Sequence, residues 1–168
     1  YEETLRQSAA DGTPFPQLLS GKGVIPGIKV DAGPHDLAGF PGEVVTAGLD
    51  GLVDRAREYA ALGARFAKWR AVLNVDTTRG LPTGGCIDAN AQGLARYAAA
   101  CQEAGLVPIV EPEVMMEGDH DIEACATATE ATLGRVFPAL RDQRVLLEGI
   151  LLKPNMVVPG DECAVQAT

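Results

Sequence analysis

Four short apolar runs, spanning 24–30, 64–73, 106–110 and 145–152, are each bounded by glycine or proline. None alternates polar with apolar as a sheet with one wet face would, so each reads as a strand covered on both sides. Helical patterns fill the intervals. One covers 50–62, with Leu52, Ala56, Tyr59 and Ala60 at helical spacing and Gly63 as its stop. A second covers 88–104, with Asp88 as N-cap and Gly105 as stop. A third covers 121–140, where Gly134 and Pro138 are expected to bend or shorten its end. Strands alternating with helices predict a parallel sheet with helices outside it.

The strand-end polar residues Lys29, Lys68, Glu111 and Lys153 are 39, 43 and 42 residues apart. Two architectures accommodate this period. A doubly wound open sheet is one, but no Gly-x-Gly-x-x-Gly turn follows any of the strands. The other is a (β/α)8 TIM barrel, which at this interval needs roughly 330 residues, within the usual range of that fold. The chain has 168 residues and four units. The expectation is therefore an α/β chain forming one domain, 1–168, that is a partial barrel of about four β/α units.

Each strand closes on two polar residues spaced by two: Lys29 and Asp31, Lys68 and Arg70, Glu111 and Glu113, Lys153 and Asn155. Residues i and i+2 of a strand project from one face. The residues between them, Val30, Trp69, Pro112 and Pro154, would face the helices or hold the backbone. Four polar pairs would thus point inward at the C-terminal end of the strands, where barrel enzymes build their active sites. Burying unpaired lysines costs several kcal/mol per ion, roughly, even after relaxation, so the pairs predict a site. The charged members sum to +1 in a chain of net charge −9, which suits a phosphorylated anion. Cations crowded together lose affinity for their protons, and a neutral amine can attack a ketone and form an iminium.

The remaining features exclude other classes. The acidic balance argues against nucleic acid or an anionic membrane as partner. Cys86, Cys101, Cys125 and Cys163 lack the close spacing of zinc ligands and are too few for a disulfide framework, so reduced thiols in the cytoplasm are expected. No signal segment is visible. His120, in Gly118-Asp119-His120-Asp121, reads as part of a solvated turn before a helix cap, and His35 lies in a Gly- and Pro-rich loop. Trp69 and Phe66 are expected to pack between sheet and helices, Met115 and Met116 to be filler, and Cys163 to be inert. Arg79 and Gly80 fall in a long loop, 74–85, at the active face of the barrel.

Leu151-Leu152-Lys153-Pro154-Asn155-Met156 resembles the Schiff-base strand of the class I fructose-bisphosphate aldolases. Phe66-Ala67-Lys68-Trp69-Arg70, Val110-Glu111-Pro112-Glu113 and Gly27-Ile28-Lys29-Val30-Asp31 are similar to that family's preceding strands, in its order, and Gly48-Leu49-Asp50-Gly51-Leu52 and Leu94-Ala95-Arg96-Tyr97-Ala98 add to the likeness. The resemblance implies strands three to six of eight, reversible cleavage of fructose 1,6-bisphosphate through a lysine imine, no metal or other cofactor, and a homotetrameric full-length enzyme. It implies Lys153 as the imine-forming nucleophile and Glu111 as general acid and base. Lys68 would supply positive charge, and Glu113 would pair with Lys68. Lys29, Arg70, Asp31 and Asn155 would bind substrate. It also implies that these residues alone would show little or no turnover. Alternatives carried forward are another imine-forming barrel lyase such as a transaldolase, a metal-dependent barrel lyase, and an inactive or interaction-only half barrel.

Overall fold

A parallel sheet in the order β1-β4-β5-β6 forms the centre of the structure, a computed structural model that describes residues 2–167, with side chains from Thr4 onward. Its strands are β1 (Gly27–Lys29), β4 (Phe66–Leu73), β5 (Val107–Val114) and β6 (Leu151–Leu152). The covering helices are α3 (Leu52–Ala61), α4 (Gly84–Glu103) and α5 (Ile122–Asp142). Two short helices, α1 (Glu2–Leu5) and α2 (Phe15–Gly21), precede β1, and an antiparallel hairpin, β2 (Gly33–Asp36) with β3 (Val44–Ala47), follows it. The α/β class and the parallel sheet are as expected. No helix among the described residues is long and apolar enough to cross a membrane.

The sheet has one covered face and one open face, and β4 shows why. Ala67, Trp69, Ala71 and Leu73 are buried, while Phe66, Lys68, Arg70 and Val72 between them are half-buried. On the covered side the Trp69 ring stacks on Tyr97 of α4, centroids 5.4 Å apart. The Tyr97 hydroxyl donates to the Ala67 carbonyl at 2.6 Å, so its polar end is satisfied inside the core. Ala91, Ala95 and Ala98 on the same helix are buried and small enough to let α4 lie close to the sheet. Full burial of Trp69, Tyr97 and Leu94 contributes about 1.5–3 kcal/mol each. Phe66 departs from expectation. It alternates in phase with Lys68, lies on the open face, and its ring fills the space that a side chain on Gly27 would need.

The strands differ in length from the apolar runs. Val24 and Ile25 are 50% and 68% exposed and precede β1. Residues 145–150 form a turn with a 3-10 segment, Leu147–Gly149, leaving only two residues for β6. In contrast β5 runs on through Glu111, Pro112 and Glu113. Pro112 lacks an N–H and faces the β6 edge, where the ladder closes with the bond from Lys153 N–H to the Val110 carbonyl at 2.8 Å and goes no further.

Helix ends follow capping chemistry. Asp121 caps α5 through Ala124 N–H at 2.8 Å, as expected. The cap of α4 is Thr83, whose hydroxyl accepts from Cys86 N–H; Asp88 lies inside that helix and pairs with Arg135 at 3.2 Å. The helix α5 continues through Pro138 to Asp142. The carbonyl that Pro138 leaves unpaired belongs to Gly134, which is exposed and can bond water.

Candidate active site

Register sets the site. Lys29 lies opposite Lys68, and Arg70 opposite Glu111, so the polar pairs of adjacent strands form successive layers on the open face. Lys153 follows β6 directly and its N–H donates to the Val110 carbonyl at 2.8 Å, which brings its side chain beside Glu111. Six of the eight expected residues thus form a charged row along the strand ends.

Glu111 is the centre of that row. Its side chain is 2% exposed, and it meets two ammonium groups at once. Lys153 Nζ donates to Oε1, and Lys68 Nζ is 2.7 Å from Oε2. Lys68 is 30% exposed and Lys153 58% exposed, so the carboxylate is buried while the Lys153 side chain keeps access to solvent. Arg70 Nε donates to Glu113, and Lys29 Nζ donates to Asp31. Glu113 together with burial and Glu111 decides the ionisation of Arg70: the hydrogen bond to Glu113 raises its pKa further, and the guanidinium stays charged.

These pairings locate the excess charge. Lys29 is neutralised by Asp31 and Arg70 by Glu113, which leaves two lysines on one carboxylate. The +1 of the set therefore falls on the Lys68–Glu111–Lys153 triplet. Moving one proton within it, from an ammonium to the carboxylate, leaves one amine neutral and free to act as a nucleophile. Glu113 pairs with Arg70 and not with Lys68, because Glu111 holds Lys68 and Glu113 lies one layer further along the strand.

Two of the expected substrate ligands also bond the sheet. Asp31 is 2% exposed at its side chain; Oδ1 accepts from Lys29 and from Gly33 N–H, and Oδ2 accepts from Arg70 N–H at 3.2 Å. Asn155 turns toward α5. Its Oδ1 accepts from Val114 N–H at 3.2 Å, and its Nδ2 donates to Thr129 Oγ1 at 3.0 Å. Each side chain takes the place of a strand partner where a neighbouring strand has ended. The i, i+2 pattern revealed their alternation but not this use.

Several outlying residues also differ. Met115 is not idle, since its sulfur accepts from Arg70 Nη2 at 3.5 Å. His35 lies in β2 and is exposed. His120 is 2% exposed, with neither ring nitrogen hydrogen-bonded among the described residues, so it is no solvated turn residue. Its carbonyl accepts from Gly160 N–H at 2.8 Å, and Gly160 packs against Gly118 too closely to carry a side chain. Arg79 donates to the Pro41 carbonyl, fastening the loop after β4 to the hairpin turn.

A family model described as the glycolytic class I fructose-bisphosphate aldolase matches residues 1–168. The chain is 59% identical over its full length to a probable class 1 fructose-bisphosphate aldolase of Xanthomonas campestris pv. campestris, covering 50% of that protein. It is 58% identical over 164 residues to the cytosolic fructose-bisphosphate aldolase 6 of Arabidopsis thaliana, covering 98% of the chain and 45% of the relative. Among solved structures, the fructose-bisphosphate aldolase of Plasmodium falciparum, in complex with TRAP and a small-molecule inhibitor, superposes with a TM-score of 0.97. That comparison has 53% identity and covers 99% of this chain and 48% of the other. The chain spans about half the length of the curated relatives it matches.

Proposed function

Because the chain belongs to the class I fructose-bisphosphate aldolase family, we propose that it carries the imine-forming centre of a (β/α)8-barrel lyase as four consecutive β/α units of that barrel. The reaction is the reversible cleavage of fructose 1,6-bisphosphate to dihydroxyacetone phosphate and glyceraldehyde 3-phosphate. One observation supports it above the others: a buried carboxylate, Glu111, bonded to Lys153 and paired with Lys68.

Lys153 passes a proton to Glu111, and the neutral amine attacks the ketone carbon of the substrate. Glu111 then protonates the departing hydroxyl of the carbinolamine, water leaves, and an iminium remains. A base takes the proton of the hydroxyl on the far carbon of the scissile bond, and Glu111, once more ionised, is the carboxylate beside Lys153 that can take it. The bond electrons flow into the iminium, giving an aldehyde and an enamine. Protonation and hydrolysis of the enamine release the second product and restore the amine. The iminium is the electron sink, so this chemistry calls for no metal. Lys68 lowers the energy of negative charge that develops beside it. Arg70, held by Glu113, and Lys29, held by Asp31, supply cationic groups for the substrate's phosphate and hydroxyls.

The same reading extends to a cytoplasmic, homotetrameric full-length enzyme; free thiols at all four cysteines suit a reducing compartment. Borohydride trapping of the intact enzyme with its ketose bisphosphate, followed by peptide mass spectrometry, tests the chemistry. The expected result is a reduced adduct on Lys153. An adduct on Lys68 or Lys29 would reassign the nucleophile, and chelator-sensitive activity with no trapped lysine would replace the mechanism with a metal-dependent one.

A further inference from the structure

In a parallel ladder the N–H and carbonyl of one residue serve the same neighbouring strand. On the β1 side of β4 the ladder reaches Lys68, whose carbonyl accepts from Val30 N–H at 3.0 Å. The next residue of β4 facing that edge is Arg70, and no strand meets it. The chain turns away, and Ala32 N–H bonds the Ala47 carbonyl of the hairpin at 2.8 Å. Two side chains complete the edge. Asp31 accepts from Arg70 N–H at 3.2 Å, and the Thr46 hydroxyl donates to the Arg70 carbonyl at 2.8 Å.

Thr46 is itself anchored. It is 5% exposed, and its N–H donates to Asn90 Oδ1 of α4 at 3.3 Å. Asn90, 3% exposed, donates in turn to the Val44 carbonyl at 2.9 Å and the Cys86 carbonyl at 3.1 Å. A buried polar chain therefore runs from α4 through β3 to the backbone of a cationic site residue. Buried polar groups are unfavourable unless bonded, and valine would fill the Thr46 position with no such demand. The hydroxyl is matched to one acceptor, and that acceptor belongs to Arg70.

We propose that Thr46 is a positioning residue that fixes the Arg70 backbone, and through it the guanidinium that recognises the substrate's far anionic group; this rests on the role assigned to Arg70 above. A guanidinium set at a fixed height can bond a phosphate at two points, whereas one on a loosened backbone spreads over several poses. The hairpin then acts as a specificity element, tuning preference between ketose bisphosphates and ketose monophosphates without touching either.

The test measures kcat/KM of the intact enzyme for fructose 1,6-bisphosphate and fructose 1-phosphate, in Thr46→Val, Thr46→Ser and Arg70→Gln variants. Thr46→Val is expected to lower the bisphosphate-to-monophosphate ratio about 5- to 10-fold, the scale of one net hydrogen bond. Thr46→Ser keeps the hydroxyl and is expected to keep the ratio. Thr46→Ala substitutes for valine if that variant does not fold. A ratio that falls in Arg70→Gln but not in the hydroxyl-free variants overturns the role of Thr46. Equal losses in valine and serine variants overturn it too, since packing would then be the cause. A ratio unchanged in Arg70→Gln instead removes the assignment of Arg70 on which the inference stands.

Discussion

Exchanging Glu111 for glutamine keeps its volume while deleting the charge that two lysines share. With no carboxylate between them the two amines repel, and no group remains to carry protons to and from the carbinolamine. Turnover is expected to fall about 10²- to 10⁴-fold, the usual contribution of general acid–base catalysis. Rapid-quench borohydride trapping should show slower imine formation as well; normal trapping and turnover would remove Glu111 from the mechanism. A second substitution separates chemistry from scaffolding. Asn155→Ala leaves Val114 N–H and Thr129 without their partner, which is expected to cost about 1–3 kcal/mol of stability in urea titrations. Its KM should stay at the wild-type value, and a raised KM with unchanged stability would return Asn155 to the substrate site. The sequence made the polar pairs legible because strand alternation is local. The fate of Asp31 and Asn155 was not legible, since it depends on where a neighbouring strand stops, and strand pairing leaves no local mark.

At the scale of elements, the strands and helices with long apolar patterns were legible, and the hairpin was not. Gly33-Pro34-His35-Asp36 has neither alternation nor β-branched residues, and three of its four residues are exposed. What holds it in place is tertiary. Glu43, 3% exposed in the turn before β3, accepts from Thr83 N–H at 2.7 Å and from its hydroxyl at 2.6 Å. Asn90 grips the following strand from α4. The Glu43 carboxylate also lies at the N-terminal end of α4, where the helix dipole favours negative charge. Glu43→Ala should therefore destabilise by about 1–3 kcal/mol and release the hairpin first, through loss of a charge-assisted bond at a buried site. Hydrogen exchange would show it as early labelling of 33–47 with α4 and β4 still protected. Uniform labelling of the whole chain would mean that the hairpin does not depend on this latch. Helix α5 teaches the converse lesson: Gly134 and Pro138 suggested an interruption, yet the four-residue spacing lets the exposed glycine carbonyl absorb what the proline lacks.

For the molecule as a whole, the sheet among the described residues leaves β1 and β6 with open edges and a charged face with no opposing strands. Turnover by the 168-residue chain alone is expected to be negligible beside that of an intact family member, and a comparable steady-state rate would refute this. The covered face makes a separate prediction, one that this chain can test by itself. Burial pushes the Cys86 thiol up to about 11, with the nearby Glu43 carboxylate adding to the effect, and burial pushes Cys101 up to about 12. Both start from an ordinary value of 9.0. In the unfolded chain these thiols ionise first, so above pH 9 the unfolded state binds fewer protons than the folded one. Their contribution to stability is complete below that point and is lost as pH rises toward 11 and 12. Tyr97, driven upward by the same burial, acts in the same direction. Urea midpoints should therefore fall between about pH 8 and pH 10.5, and Cys86→Ala should flatten part of that slope. The thiol in the native chain should also resist iodoacetamide at pH 8 and react once the chain is unfolded, because only the thiolate is nucleophilic. Midpoints that hold steady across this range, or rapid native labelling of Cys86, would show that α4 does not seal the sheet as tightly as Trp69 and Tyr97 imply.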